Sequence, residues 1–327
     1  MMATSSPRTN EKLLLADIGG TNARFALMAD GTVGAMAHMA VKDHGSFGEA
    51  LGAYLGGVPE AGTISSAVLA ASGTIQDNRC ALTNNSWVID VAELRTSHGF
   101  STVRLINDFE AVAWALPCLP RDSLLPLGGR QPVAGAPLAA LGPGTGLGMA
   151  VNIPHATGRV VLSSEGGHST MAGSSSREDA VIENLRRRFG HVSAERVLSG
   201  AGLENLYDAI AALDDIIPSR RRACDITRTG VEGTCSTSRA VIDMFCAMLG
   251  SVAGNLALTF GAKGGVFIGG GILRHIPEYL ARSRFRARFE EKGRFSRYLE
   301  AIPTYLILDE NVAFVGLRAL AEAEGIG

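Results

Sequence analysis

The chain has 327 residues, 46% of them hydrophobic and 19% charged, with a net charge of −2 at pH 7. That much apolar material can fill real cores, and the length suits two domains. A balance this close to neutral excludes a nucleic-acid footprint, which needs clustered Lys and Arg.

The densest basic runs, Arg186-Arg187-Arg188 and Arg220-Arg221-Arg222, are short and read as solvated faces. Cysteines stand at 80, 118, 224, 235 and 246, an odd number without CxxC spacing, so neither a disulfide framework nor a zinc site is supported. Residues 1–10 are polar and expected to be disordered, and the apolar run after them is only Leu13-Leu14-Leu15-Ala16, too short for a secretory signal. Residues 244–262 are uncharged over 19 positions, near the length of a membrane span. They also carry Ser251, Asn255 and Thr259, and read instead as a helix buried in a large domain. The expectation is a cytoplasmic protein with no membrane and no nucleic-acid partner.

Residues 13–28 read as an apolar run, a glycine turn at Asp17-Ile18-Gly19-Gly20-Thr21-Asn22, and a second apolar run: a strand, tight turn, strand unit. Strands are expected at 67–71 and 103–106, the second ending at Asn107-Asp108 and leading into a helix over 109–116 that Pro117 and Pro120 close. Residues 122–137 are rich in Gly and Pro and read as a loop crossing between domains. The strand-turn-strand grammar recurs at 138–151 around Gly142-Pro143-Gly144-Thr145-Gly146-Leu147-Gly148. Two such hairpins about 125 residues apart suggest a duplicated architecture with one hairpin in each half facing a shared cleft. The second half is more helical, with helices expected at 176–189, 194–200 (ending at Gly200), 239–260 and 311–324. A strand at 265–268 runs into Gly269-Gly270-Gly271. Strands alternating with helices make the class α/β.

Three glycine-rich turns thus each follow an apolar strand. Phosphate oxygens need closely approaching backbone N–H donors, which a Cβ would block. The first turn adds the Thr21 hydroxyl, the Asn22 amide and the Asp17 carboxylate, which is suited to Mg²⁺ or a metal-bound water. No Gly-Lys-[Ser/Thr] follows, so this is not a Walker A loop, and the turn at 142–148 leads to a strand, unlike a dinucleotide fingerprint. The nucleotide would be a phosphate donor held by two β-hairpins. Asp108, where a strand meets a helix, suits a catalytic carboxylate, and a helix N-cap is its other reading. Moving a phosphoryl group to an alcohol needs one carboxylate beside the acceptor hydroxyl, and the rest is positioning and electrostatics. Glu165-Gly166-Gly167-His168 presents an acid and an imidazole that could bind adjacent sugar hydroxyls, or else a capping turn with a surface His. Glu195 reads as either a ligand or an exposed helix residue.

Taken together and in order, Asp17-Ile18-Gly19-Gly20-Thr21-Asn22-Ala23-Arg24, Leu105-Ile106-Asn107-Asp108-Phe109, Gly144-Thr145-Gly146-Leu147-Gly148, Glu165-Gly166-Gly167-His168 and Ser193-Ala194-Glu195-Arg196-Val197-Leu198-Ser199-Gly200 strongly resemble bacterial glucokinases of the enterobacterial type. The resemblance covers residues 13 to about 320, with Thr83-Asn84-Asn85-Ser86-Trp87 also matching. It implies a two-domain actin-like ATPase (ribonuclease H-like) α/β fold, with a cleft between a small domain (1–118, completed by a C-terminal helix in 309–327) and a large one (119–308). The implied activity is ATP-dependent phosphorylation of glucose at its 6-hydroxyl, feeding glycolysis. Asp108 would be the general base. Asn107, Glu165, His168 and Glu195 would hold other sugar hydroxyls. Asp17, Gly19, Gly20, Thr21 and Asn22, with Gly142, Gly144, Thr145 and Gly146, would hold the phosphates with Mg²⁺, and Gly269, Gly270 and Gly271 would border the adenosine. The family also implies a homodimer and closure on glucose. Ser169-Thr170-Met171 and Ser72-Gly73-Thr74 depart from the usual family pattern, which keeps open a kinase for another hexose or an amino sugar. A non-catalytic sugar sensor on the same fold is the remaining alternative.

Overall fold

The computed structural model describes residues 12–59, 61–82, 85–217 and 221–326. Residues 1–10, Thr83, Asn84 and Arg220, singled out above, lie outside them. The chain divides into two units, Met1–Leu119 with Asn311–Gly327, and Pro120–Glu310.

The first unit runs β1 (Lys12–Ile18), β2 (Asn22–Ala29), β3 (Thr32–Val33), β4 (Ala37–Ala40), α1 (Phe47–Gly56), β5 (Ile64–Ala71), β6 (Ile75–Gln76), β7 (Arg79–Ala81), β8 (Val88–Asp90), α2 (Val91–His98), β9 (Thr102–Asn107) and α3 (Asp108–Ala115). Its main sheet has the order β3-β2-β1-β5-β9, with β4 also on β2. The expected first hairpin forms as β1 and β2, antiparallel with Ile18 opposite Ala23, while β1, β5 and β9 are parallel. Leu13, Leu14, Leu15, Ala16 and Ile18 are all buried, the near-continuous apolar run of a strand covered on both faces. The C-terminal helix Val312–Glu324 packs on α3. Gly316 allows that approach, because a Cβ there would overlap the carbonyl oxygen of Ala111.

The second unit runs β10 (Leu124–Gly128), β11 (Leu138–Pro143), β12 (Leu147–His155), β13 (Gly158–Ser164), α4 (Ser176–Phe189), α5 (Gly200–Leu213), α6 (Ala223–Glu232), α7 (Ser236–Phe260), β14 (Gly265–Ile268), the short helices α8 (Gly271–Arg274), α9 (Pro277–Arg282), α10 (Phe285–Glu290) and α11 (Ser296–Ala301), and β15 (Thr304–Ile307). The sheet order is β10-β15-β14-β11-β12-β13, and β11 and β12 form the second expected hairpin.

Two local expectations are corrected here. Residues 122–137 are not all loop: Leu124–Gly128 is a strand antiparallel to β15. Its Pro126 is tolerated because β10 is an edge strand, and its partner lies far along the chain. Residues 194–200 form turns, not a helix, and Gly200 starts α5 where a helix end was expected. The Ser199 hydroxyl accepts from the Gly202 N–H at 3.0 Å, which makes Ser199 an N-cap.

The long helix α7 has the length and apolar composition to cross a membrane, yet 83% of its most apolar stretch is buried inside the fold. Gly250 and Gly254 lie flush against α10, where Cβ atoms would overlap the carbonyl oxygens of Phe285 and Phe289. A buried ion pair fixes the same region. Arg288 of α10 donates to both oxygens of Glu178 of α4, at 2.6 and 3.0 Å, and to the Ser251 hydroxyl of α7 at 2.9 Å. Only 3% of Arg288 and 4% of Glu178 is exposed.

Candidate active site

The parallel strands of the first unit end at one level: Ile18 is opposite Ala71, and Ala71 opposite Asn107. This brings Asp17, Ser72, Asn107 and Asp108 to the carboxyl edge of the sheet, where open α/β sheets bind ligands. Asp17 sits opposite Arg24 in the hairpin register. The Arg24 guanidinium grips the Asp17 carboxylate through Nε, at 3.1 Å, and through Nη2, both on Oδ2. It also donates to Asn311 Oδ1 at 3.3 Å. In the turn itself, the Gly19 N–H donates to the Asn22 carbonyl at 2.9 Å and Asn22 Nδ2 to the Thr21 hydroxyl at 3.1 Å. The Gly20 carbonyl accepts from Asn85 Nδ2 at 3.2 Å. Thr21 and Asn22 are exposed at the tip.

Asp108 opens α3 but does not cap it. Asn107 does: its Oδ1 accepts from the Phe109 and Glu110 N–H groups at 2.9 and 3.4 Å, while its Nδ2 donates to the Gly73 carbonyl at 3.3 Å. The capping reading of Asp108 is therefore corrected, because the residue before it fills that position. Burial, seconded by the Asp17 charge, pushes the Asp108 carboxyl up to about 7. Hydrogen bonds from the Phe109 N–H (2.9 Å), the Ser72 hydroxyl and its own N–H pull the other way. Cys80, whose sulfur would meet a Cβ on Gly73, is raised to about 11 by burial and by Asp108.

In the second unit Gly142 pairs with Gly148 and Pro143 with Leu147, leaving residues 144–146 as a tip closed by the Gly144 N–H on the Gly146 carbonyl at 2.8 Å. The third glycine turn lies against it. The Gly269 N–H donates to the Leu141 carbonyl at 2.8 Å, and Gly270, at φ +96°, has a Cβ position that would overlap the Pro143 carbonyl. Gly271 begins α8.

The Glu165–His168 segment and Glu195 join this turn. Gly166–His168 is one turn of 3-10 helix, and Gly167 packs so tightly that a Cβ would overlap the Leu147 carbonyl. Glu165 and His168 are 62% and 61% exposed with 4.0 Å between Oε2 and Nε2, so both side chains are presented outward. The Glu195 N–H donates to the Gly167 carbonyl at 2.8 Å, and its Oε2 accepts from the Leu147 N–H at 2.9 Å. The Gly200 N–H donates to the Gly144 carbonyl at 2.9 Å. Glu195 is thus a half-buried turn residue tied to the hairpin, which corrects the reading of it as an exposed helix position.

The departures at 169–171 are consumed locally. The Ser169 hydroxyl donates to the Gly166 carbonyl at 2.7 Å, Thr170 Oγ1 and His191 Nε2 lie 3.0 Å apart, and Met171 is buried in the core. Sequence reasoning gave no role to Arg24 or Ser72. Counting residues across the 17–22 turn would have set Arg24 opposite Asp17. Ser72 carried no signal beyond being unusual, because its N–H bonds the Ile18 carbonyl of a distant strand.

Among the described residues no group of three or more His, Cys, Asp or Glu is arranged to hold a metal ion. Mg²⁺ in a nucleotide site needs only one or two carboxylates, with phosphate oxygens and water supplying the rest. The Asp17 carboxylate, fixed from one side by Arg24, fits that requirement.

Two α/β units that each carry a strand-glycine turn-strand hairpin define an actin-like ATPase fold of the sugar-kinase class. The family model described as glucokinase matches residues 14–324. A glucokinase of Paramagnetospirillum magneticum is 47% identical over 317 residues, 95% of this chain and 98% of the relative. One of Citrobacter koseri, an enterobacterium, is 42% identical, covering 94% and 95%. A crystal structure of glucokinase from an Antarctic psychrotroph superposes with TM-score 0.84 at 37% identity, over 95% and 99% of the two chains. A Streptomyces griseus glucokinase of the ROK family, in complex with glucose and AMPPNP, shares the fold at TM-score 0.63 and 19% identity, over 95% and 99%. The chain belongs to the glucokinase family, enzymes that phosphorylate sugar with ATP.

Proposed function

We infer that this chain is a glucokinase that transfers the γ-phosphoryl group of ATP to the 6-hydroxyl of glucose. The observation that carries the reading is Asp108. It is relieved of capping by Asn107, stands at the carboxyl edge of three parallel strands, and has a carboxyl pushed up to about 7. A general base works best with a pKa near the working pH, which this one meets. Asp108 takes the proton of the attacking hydroxyl as that oxygen bonds to phosphorus.

Asn107, Glu165, His168 and Glu195 hold the remaining hydroxyls. An amide nitrogen carries two donors, and Asn107 uses one on Gly73, so the other serves sugar. Glu195 accepts from the Leu147 N–H through one oxygen and offers the rest of its carboxylate to a hydroxyl. The turns with Gly19, Gly20, Thr21 and Asn22 and with Gly142, Gly144, Thr145 and Gly146 supply backbone donors to phosphate, and Gly269, Gly270 and Gly271 border the adenosine. Mg²⁺, held through Asp17 directly or by way of water, neutralises phosphate charge when bound. The S. griseus structure, with AMPPNP in place of ATP, supports the choice of donor. The protein works in the cytoplasm as a homodimer, which its mass by light scattering would test.

Because Ser169, Thr170 and Met171 are engaged locally, they give no cause to move the sugar away from glucose. The test is a coupled assay with MgATP and glucose, mannose, fructose or N-acetylglucosamine, compared by kcat/KM. Glucose should lead. A larger kcat/KM for another sugar would reassign the substrate, and tight glucose binding without ATP consumption would make the protein a sensor.

A further inference from the structure

Asn85 lies in the loop between β7 and β8 and holds two groups at once. Its Oδ1 accepts from the Trp87 N–H at 2.8 Å, and its Nδ2 donates to the Gly20 carbonyl at 3.2 Å. An amide oxygen only accepts and an amide nitrogen only donates, so these two partners fix which way the group faces. Trp87 is itself seated in the core, 2% exposed, with its Nε1 donating to the His44 carbonyl at 3.2 Å and its ring against Phe47. Asn85 therefore reaches the glycine turn from a fixed support.

Three carbonyls along that turn are bonded by groups outside it. The Ile18 carbonyl accepts from the Ser72 N–H and the Thr21 carbonyl from the Val41 N–H, both at 2.9 Å, and the Gly20 carbonyl from Asn85. In a trans peptide the carbonyl of one residue and the N–H of the next point in opposite directions. Tying the Gly20 carbonyl to Asn85 thus turns the Thr21 N–H away from that support, and tying the Thr21 carbonyl to Val41 does the same for the Asn22 N–H. Thr21 and Asn22 are exposed at the tip, where successive outward N–H groups make an anion-binding concavity. Ser72 and Val41 act through backbone groups at strand ends. Asn85 is the one side chain among the three, and it acts at the glycine. Gly20 has no Cβ to restrict its backbone, so without that tie the following peptide can swing and present its carbonyl oxygen to phosphate in place of the N–H. We propose that Asn85 is a positioning residue for nucleotide binding, its amide holding the Gly20–Thr21 peptide so that the Thr21 N–H faces the phosphates of ATP. The inference rests on the reading of the 19–22 turn as a phosphate site.

The experiment compares the parent, Asn85→Ser and Asn85→Asp. A serine hydroxyl still accepts from the Trp87 N–H but stops short of Gly20. Asn85→Asp keeps the shape and the Trp87 bond and puts an oxygen in place of the donor, which covers the case in which the serine variant does not fold. By calorimetry, Kd for MgADP should rise about 10- to 100-fold in Asn85→Ser, the effect of one hydrogen bond to a charged group, and at least as far in Asn85→Asp. Kd for glucose should stay near the parent's. KM for MgATP should rise in step, and KM for glucose should not. A readout free of catalysis comes from protein labelled with nitrogen-15 threonine. The Thr21 amide resonance, assigned by its loss in Thr21→Ser, should shift when MgADP is added to the parent and lose most of that shift in Asn85→Ser. Parental MgADP affinity in both variants, or an equal loss of MgADP and glucose affinity, would overturn the proposal. A Thr21 amide that ignores MgADP in the parent would instead refute the phosphate reading of the turn, and this inference with it.

Discussion

The carboxylate of Asp17, on β1, and that of Asp108, heading α3, stand near enough for the charge of the first to oppose ionisation of the second. The arrangement, at the carboxyl edge of the sheet, works against stability. An aspartate that ionises at about 7 when folded, against 3.8 ordinarily, costs folding free energy as pH rises through that window. The cost is absent below the lower value and complete above the upper one. Asp108→Asn removes the buried charge and keeps the shape. Its Tm should exceed the parent's by at least about 2 °C at pH 8, with the gap closing as pH falls toward 4. Equal melting temperatures at pH 8, followed by circular dichroism, would show that Asp108 carries no such burden.

Glu195 joins the glycine hairpin to the sugar-binding proposal through its bond from the Leu147 N–H. Glu195→Gln keeps an acceptor for that N–H but loses the charge that strengthens a hydroxyl hydrogen bond. KM for glucose should rise by about 10- to 100-fold while KM for ATP changes little. Steady-state kinetics with each substrate varied in turn measures this. A rise confined to ATP would move Glu195 to the nucleotide side.

The Glu178–Arg288 pair is buried with Ser251 as a third partner. Removing Arg288 leaves the Glu178 charge buried and unmatched, so Arg288→Met should cost about 3–5 kcal/mol in urea unfolding, and Glu178→Leu less, because Arg288 keeps Glu291 at 3.3 Å. The double variant, with both charges gone, should recover most of that loss. Simple additivity of the two single effects would mean that the pair is not coupled.

Gly316 tests how the C-terminal helix is held. A methyl there would overlap the Ala111 carbonyl, so Gly316→Ala should force the C-terminal helix and α3 apart and destabilise the first unit by about 1–3 kcal/mol, despite alanine's better helix propensity. Denaturant unfolding decides it, and a stabilised variant would mean that the helices pack less closely than described.

The parts of the fold legible in sequence were those whose signal is local. The hairpins around residues 17–22 and 142–148 showed as apolar runs broken by glycines, and Ser176–Phe189 as helical periodicity. What escaped was set by distant partners. Leu124–Gly128 is a strand only because Thr304–Ile307 pairs with it, so its Pro and Gly content suggested a loop. Residues 194–200 carry helix-forming letters, but hydrogen bonds from Ala194 and Glu195 to Ser169 and Gly167 hold them as turns. At the site, residue types and spacing singled out Asp108 and Glu195. Which groups meet them, Asp17 beside Asp108 and the Leu147 N–H on Glu195, depended on strand register across the sheets, which no local pattern encodes.

The most direct test of the account is the kcat of Asp108→Ala with saturating glucose and MgATP, measured by coupled release of glucose 6-phosphate alongside glucose binding by calorimetry. Loss of the general base should lower kcat by about 10²- to 10⁴-fold with glucose still bound. Turnover near the parental rate in a variant that binds glucose normally would contradict it.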